Sequence, residues 1–357
     1  MHSSTRSQIR ASLGGVAALV TAALACSLAG STPPTVPPIT QVIAVTQIVP
    51  VTQIIPVTQI VPAARTPDIL QEHRPAAPGV YFVAGAALYW MDLDGRNLTT
   101  VIAALPGERQ IMAGDEAHRA LYLIRWEGDG QLIRVDLDRL DQITALAGPA
   151  EGGQGIALDT AHDRLYLGLY YAGVFAAPLT ACCSDWQQLV TADQLAPTYG
   201  QRGQLQLDAA GGWLYFRTTF NGGCNACRSI WRVRVDGTGL QRLIPANGGD
   251  ALALDPDRGV FYFSDIPEEA NTLKRAALDG SVVQTLLTLP PPYTYCREMA
   301  LDGPHGRLYL SLSNQAGWRD RAIASVNVDG SDFRILYEVS GSQERDVTGG
   351  LVLWLNP

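Results

Sequence analysis

The feature that most constrains the fold is a repeated pattern in the residues that follow Pro75. Each copy contains an apolar strand that ends in Asp, a short polar turn and a second strand centred on Tyr. Successive tyrosines are 44, 49, 47 and 47 residues apart. A fixed period of this length is typical of arrays in which every repeat forms one supersecondary unit. The five copies contain Asp115 and Tyr122, Asp159 and Tyr166, Asp208 and Tyr215, Asp255 and Tyr262, and Asp302 and Tyr309.

The second half of each repeat predicts two further strands joined by a hairpin. Alternation of apolar and polar residues indicates strands that are buried on one side, and Asp-Gly between two such strands is a strong hairpin signal. The pattern is clearest around Asp236-Gly237, Asp279-Gly280 and Asp329-Gly330. Four strands in each repeat of about 47 residues correspond to one blade of a β-propeller.

The sixth copy is divided between the two ends of the repeat region. Residues 80–82 provide a Tyr-centred strand without a preceding inner strand, whereas residues 352–356 resemble the inner strand at 251–255. We therefore expect the C-terminal strand to become the innermost strand of the first blade, because closure removes the open edges of the sheets. The predicted fold is all-β, a six-bladed β-propeller over residues 75–357 that is closed by its C-terminal strand.

The repeat resembles the YWTD-type propellers (LDL-receptor class B-like) and the TolB-like six-bladed propellers. The nearest match to the motif that names the first family is Tyr262-Phe263-Ser264-Asp265, and Leu-Tyr-Leu stands at this place in three other copies. The resemblance implies a six-bladed ring. It implies little about function, because one propeller scaffold serves receptors, lyases, lactonases and plain scaffolds.

Residues 1–26 predict export. Arg6 and Arg10 precede about fifteen small or apolar residues, a length that suits a signal-peptide core and is too short for a membrane span. The segment ends in Ala23-Leu24-Ala25-Cys26, which resembles a bacterial lipobox and implies lipidation of Cys26. The alternatives are cleavage before Cys26 without lipidation and an unlipidated anchor. We expect a protein that is exported and lipid-anchored at the bacterial cell envelope, with the membrane as a partner through the lipid.

Residues 27–74 predict an extended stalk. No charged residue occurs between Ser27 and Ala64, and three similar hexads end in Pro50, Pro56 and Pro62. Proline at this spacing prevents a helix and pushes the preceding residue to extended geometry. A spacer is the favoured interpretation. The alternative is that the apolar hexads dock on a cell-wall or membrane component.

The composition excludes some classes of function. Hydrophobic residues make up 47% of the chain, which suffices for a sizeable core. The formal net charge of −8 argues against a nucleic-acid partner. The sequence contains no nucleophile elbow, phosphate loop or His-Glu zinc motif. We therefore predict no cofactor and favour a binding module over an enzyme.

The candidate binding surface is the loop face of the propeller. We give this name to the side where the loops between blades meet the loops between the second and third strands of each blade. Aromatic and Arg side chains are enriched there, which is typical of surfaces that bind a protein or glycan ligand. The alternative is that the rings cover blade junctions and the charges are solvated. The candidate residues are Trp126, Tyr171, Arg202, Asp250, Tyr293, Tyr295, Arg297, Glu298 and Trp318.

The alternative function is that of a metal-dependent hydrolase, lyase or lactonase. Asp250 and Glu298 precede neighbouring inner strands, so both carboxylates can point at the channel mouth and bind a cation. The residues at the same place before the innermost strands of the other blades offer few further oxygen ligands, so we predict no metal site. The Asp that recurs in each repeat is interpreted as closing a tight turn by accepting backbone N–H groups. In the other blades the counterparts of Asp250 and Glu298 are Gln110, Gln154, Gly203 and Leu351.

Five cysteines remain after Cys26. Cys224 and Cys227 are close enough in sequence to form a local disulfide in the long loop of the fourth blade. Cys182 and Cys183 are neighbours, and a strained vicinal bridge is one arrangement for them. Cys296 is the candidate free thiol, because an odd number leaves one cysteine over. The pairing of Cys182, Cys183 and Cys296 stays open at this point.

Overall fold

The computed structural model contains six separate four-stranded antiparallel sheets, one for each blade predicted from the repeat. The prediction of an all-β, six-bladed propeller is confirmed. The predicted signal peptide, the hexads and most of the predicted stalk lie outside the described residues. The structure describes residues 72–105, 111–124, 131–146, 148, 153–169, 172–180, 185–195, 199–219, 228–245, 248–265, 272–314, 321–339 and 348–356.

The first three blades take their strands in chain order, except that the innermost strand of blade 1 comes from the C-terminus. In each blade the strand nearest the ring centre is named first and the outermost strand last. Blade 1 contains β24 (Thr348–Trp354), β1 (Gly79–Ala84), β2 (Ala87–Asp92) and β3 (Thr99–Ile102). Blade 2 contains β4 (Ile111–Asp115), β5 (Ala120–Ile124), β6 (Leu132–Asp136) and β7 (Ile143–Leu146). Blade 3 contains β8 (Gly153–Asp159), β9 (Arg164–Leu169), β10 (Gly173–Pro178) and β11 (Gln187–Thr191).

The other three blades repeat this arrangement without a crossover. Blade 4 contains β12 (Tyr199–Asp208), β13 (Trp213–Thr219), β14 (Ser229–Arg234) and β15 (Gln241–Ile244). Blade 5 contains β16 (Gly248–Asp255), β17 (Val260–Asp265), β18 (Thr272–Ala277) and β19 (Gln284–Thr288). Blade 6 contains β20 (Tyr295–Asp302), β21 (Arg307–Ser313), β22 (Arg321–Asn327) and β23 (Arg334–Val339).

The C-terminal strand closes the ring. Strand β24 pairs antiparallel with β1, and Trp354 lies opposite Gly79. Each innermost strand contacts the innermost strands of both neighbouring blades, including β20 and β4 on the two sides of β24. The prediction that the last residues complete the first blade is confirmed.

The two ends of the strands in every blade define two faces of the propeller. Neighbouring strands are antiparallel, so the turn from the first to the second strand and the turn from the third to the fourth lie on one side, which we call the turn face. On this face the repeated Asp accepts the backbone N–H of the residue three positions later, as predicted. In three blades that residue is a His whose ring also bonds the carboxylate. The capping residues are Asp115, Asp159, Asp208, Asp255 and Asp302.

The core lies between successive blades, where apolar side chains from facing sheets are buried together. The repeated Tyr of the second strand belongs to this layer and also bonds across it. The Tyr215 hydroxyl donates to the carbonyl oxygen of Leu278 in the next blade at 3.1 Å. The Tyr309 hydroxyl donates to the carbonyl oxygen of Leu93 in blade 1 at 3.2 Å. These bonds tie each of these second strands to the outer hairpin of the next blade.

One hairpin carries a strained residue, and relieving the strain is expected to raise stability. Val282 has a φ of +53° and is 83% exposed, whereas the same turn position holds Asn97 in blade 1 and Asp332 in blade 6. A β-branched residue is unfavourable in this left-handed region, which Asn tolerates. We expect Val282→Asn to raise the free energy of unfolding by about 1 kcal/mol in chemical denaturation. Val283→Asn, beside it, is the control and should give no such gain. Equal gains in both variants would contradict the strain.

Candidate functional site

The innermost strands are irregular near the loop face, and this irregularity brings polar side chains towards the channel. The register shifts between Gly153 and Gly155 in β8, between Gln201 and Leu205 in β12, and between Cys296 and Glu298 in β20. A bulge of this kind bends a strand and redirects side chains. Gln154, Gln204 and Glu298 lie at or beside these shifts, and all three are buried.

Gln204 joins three blades. Its Oε1 accepts the backbone N–H of Leu252 in blade 5 at 3.0 Å and that of Met299 in blade 6 at 2.9 Å. Its Nε2 donates to the carbonyl oxygen of Met299 at 2.8 Å. Blades 4 and 6 are not neighbours, so this side chain spans the space inside the ring. Sequence reasoning missed Gln204, because the repeat marks the register of the strand but not the bulge.

Glu298 is bonded at the junction of blades 6 and 1. Its Oε2 accepts the backbone N–H of Leu351 at 2.7 Å, and the amide of Gly350 donates to the same carboxylate. Burial raises the pKa of Glu298, while these amides and the charge of Arg297 oppose the rise. Glu298 is thus a buried carboxylate bonded to backbone amides of the innermost strand β24, and its role in binding a ligand stays a prediction. Its carboxylate holds the closing strand to blade 6.

Two other predicted ligand residues are also buried. Tyr293 is 3% exposed, and its hydroxyl is hydrogen-bonded to the carboxylate of Glu338. Tyr295 is 8% exposed, and the Arg228 guanidinium lies 5.7 Å from the centre of its ring. Both side chains are therefore buried, and the Tyr293 ring packs in the core cluster shared by blades 5 and 6. Arg297 is partly buried in β20.

A buried charged layer lies between blades 4 and 5 near the loop face. Asp265 is 6% exposed, and one carboxylate oxygen forms an ion pair with Lys274, the only lysine of the chain. Arg217 is 3% exposed. It lies on the same side of β13 as Tyr215, two residues before it, whose ring packs in the core between these blades. Buried charges are retained only when they are paired or hydrogen-bonded. Sequence reasoning missed this layer, although Asp265 ends the one motif that matched Tyr-Phe-Ser-Asp.

Two of the remaining predicted site residues are placed by their strands alone. Arg202 and Asp250 lie in β12 and β16, in the halves of those strands nearer the loop face. The others lie outside the described residues, and their roles stay predictions. They are Cys26, Trp126, Tyr171, Trp318 and the cysteines of the predicted disulfide, Cys224 and Cys227.

Three properties bear on the chemistry available to the described part of the chain. Those residues include no group of three or more His, Cys, Asp or Glu arranged to hold a metal ion. No helix among them is long and apolar enough to cross a bilayer. Cys296 is buried, and its Sγ lies 3.5 Å from the carbonyl oxygen of Glu298.

Comparison with solved structures places the fold among known six-bladed propellers. A chain of the nidogen/laminin complex superposes with a TM-score of 0.59 at 15% identity, covering 78% of this chain and 98% of that one. A TolB-type protein from Agrobacterium tumefaciens gives 0.58 at 13% identity, with coverages of 78% and 98%. TolB from Acinetobacter baumannii gives 0.57 at 12% identity, with 78% and 66%. No protein-family model and no curated protein sequence matches the chain.

The class of protein follows from the blades and these neighbours together. The chain forms a six-bladed β-propeller of the architecture shared by the YWTD and TolB propellers. Identities of 12–15% establish the fold and nothing finer.

Proposed function

We propose that the protein is an extracytoplasmic binding module, anchored to the bacterial membrane through a lipid on Cys26 and presenting its loop face to a protein or glycan ligand. The order of segments supports this proposal, since a segment predicted to be a signal peptide and an uncharged Pro-rich segment precede the propeller in the sequence. A stalk of this kind spaces the domain away from its anchor.

The observation that carries the binding role is the use of polar side chains inside the ring. Gln204 and Glu298 both engage backbone amides of other blades. Their polar atoms hold the ring together, so Glu298, one of the two carboxylates considered for a channel cation under the enzyme alternative, already accepts backbone hydrogen bonds. Recognition is then left to the loops, where aromatic and Arg residues are enriched in the sequence.

The test places a photo-crosslinking amino acid on each face of the full-length protein. We expect crosslinks to one recurrent partner from Trp126 and Trp318, predicted to lie on the loop face. A probe at Leu98, which is 46% exposed on the turn face, should give none. Crosslinks from Leu98 alone would contradict the proposed surface.

The enzyme alternative has its own readout in the same preparation. A stoichiometric divalent cation by elemental analysis, lost in Asp250→Ala together with hydrolytic or lyase activity, would replace the binding role. Unchanged metal content and activity in that variant would support the binding role.

A further inference from the structure

The segment that leads into the propeller is built into the junction between blades 1 and 2. His73 is 8% exposed, and its backbone N–H donates to the carbonyl oxygen of Leu137 at 2.7 Å. Leu137 follows β6 in the outer hairpin of blade 2. The His73 ring nitrogen Nδ1 is hydrogen-bonded to the Tyr81 hydroxyl at 2.8 Å. The chain therefore enters the domain on the turn face.

In blade 1, His73 bridges a contact that the repeated Tyr makes directly in blades 4 and 6. In blades 4 and 6 the repeated Tyr donates to the carbonyl oxygen of Leu278 or Leu93 in the next outer hairpin. In blade 1 the equivalent Tyr81 bonds the imidazole, and the His73 amide takes the hairpin carbonyl. One residue of the incoming chain thus completes an inter-blade contact.

Four charged residues, Glu72, Arg74, Arg119 and Asp138, lie beside this contact. The Arg119 guanidinium donates to the carbonyl oxygen of His73 and to Asp138, both at 2.9 Å. Arg74 lies 3.1 Å from Asp138 and 3.4 Å from Glu72. Among the described residues, Arg119 is the one positive group that bonds His73 itself.

The imidazole is therefore held in a setting that disfavours its charged form. The rings of Tyr81 and Trp90 lie 5.5 and 5.6 Å from it. Burial, with a smaller effect of Arg119, lowers the pKa of His73 to about 4. Burial also raises the pKa of Tyr81, so its hydroxyl keeps its proton.

We propose that residues 72–74 form a latch, in which neutral His73 fixes the incoming chain to blades 1 and 2 and protonated His73 releases it. While the latch is closed, residues 72–74 are held against the turn face of blades 1 and 2. When it opens, these three residues lose their contacts with the two blades. This inference concerns the junction alone and does not depend on what the loop face binds.

The size of the effect follows from the two protonation equilibria. A free His has a pKa near 6.5, and the docked one has a pKa of about 4. Because docking lowers the pKa, docking is strongest above the free value and weakens as the pH falls towards the docked value. We expect the docking constant to fall by about 20-fold between pH 7 and pH 5.

Hydrogen exchange on the full chain tests the latch. After correction for intrinsic exchange rates, protection of the His73 backbone amide should fall by about 20-fold from pH 7 to pH 5 in the wild type. His73→Gln keeps a neutral polar side chain and should lose little protection over this range. His305→Gln removes an exposed turn histidine and should behave as the wild type does. Emission of Trp90, isolated by comparison with Trp90→Phe, should change over the same pH range.

Two results would overturn the latch. The first is equal protection of the His73 amide at pH 7 and pH 5 in the wild type. The second is a parallel loss of protection in β21, whose side chains are mostly buried, because global acid unfolding would then explain the change. An equal loss in His73→Gln would likewise remove the imidazole from the mechanism.

Discussion

Trp354→Ala is expected to lower the free energy of unfolding by about 4 kcal/mol. Trp354 is fully buried in the strand that closes the ring, and its ring contacts Tyr81 edge-on with centroids 5.4 Å apart. A Cβ added to Gly114 of blade 2 would lie 3.6 Å from the Trp354 ring and 2.7 Å from Val352 Cγ1 beside it. Removing the indole therefore leaves a cavity between blades 1 and 2 that glycine cannot fill. Chemical denaturation monitored by far-UV circular dichroism measures the loss.

Trp354→Phe is the matched control for this prediction. The Trp354 Nε1 has no hydrogen-bond partner among the described residues. Replacement by phenylalanine therefore removes van der Waals contacts but no hydrogen bond. We expect a loss of about 1–2 kcal/mol for this variant. A loss below about 1 kcal/mol in Trp354→Ala would mean that the closing strand contributes little to stability.

Gly330→Ala is expected to destabilise the propeller by about 2–4 kcal/mol. Gly330 has a φ of +88°, and an added Cβ would lie 2.3 Å from the carbonyl oxygen of Leu286 in blade 5. The clash is with backbone, so rotation of a side chain cannot relieve it. The outer hairpin of blade 6 would have to move away from its neighbour. The loss is measured as the change in denaturation midpoint at constant slope.

Gly259→Ala separates the two causes of this loss. Gly259 has a φ of +67°, but an added Cβ would meet nothing within 4 Å. This variant carries the conformational cost alone, about 1–2 kcal/mol. If the two alanine variants were equally destabilised, the close approach of hairpin to strand would not matter.

The pattern of strands could be predicted because it depends on local chemistry. Alternation of apolar residues, the Asp of each tight turn and the Asp-Gly hairpins act within a few positions of one another. Closure by residues 352–356 was also predictable, since that segment resembles residues 251–255. These expectations are confirmed by the sheet order and the strand pairs.

The candidate site was harder to predict because its side chains act between blades. Glu298, Tyr293 and Tyr295 belong to the region assigned to the loop face, yet all three are buried there by contacts with other segments. Gln204 was missed for the same reason, since its partners Leu252 and Met299 lie in two other blades. The direction of a strand predicts which face of the propeller a residue lies near. Whether its side chain is exposed depends on β-bulges and on the segments that pack against it.

The sequence by itself determined the number of blades, their order and the segment that closes the ring, because each repeat carries its own strand and turn signals. Only the tertiary structure decided which unusually small residue of one repeat packs against which unusually large residue of another. Gly114 stands where other inner strands have Leu158 or Leu254, and Trp354 stands where Ala253 occupies blade 5. Val352 and Trp354 of the closing strand together occupy the space that a side chain at position 114 would need, with Val352 the nearer of the two. Packing of this kind joins residues far apart in the chain, so no local pattern reports it.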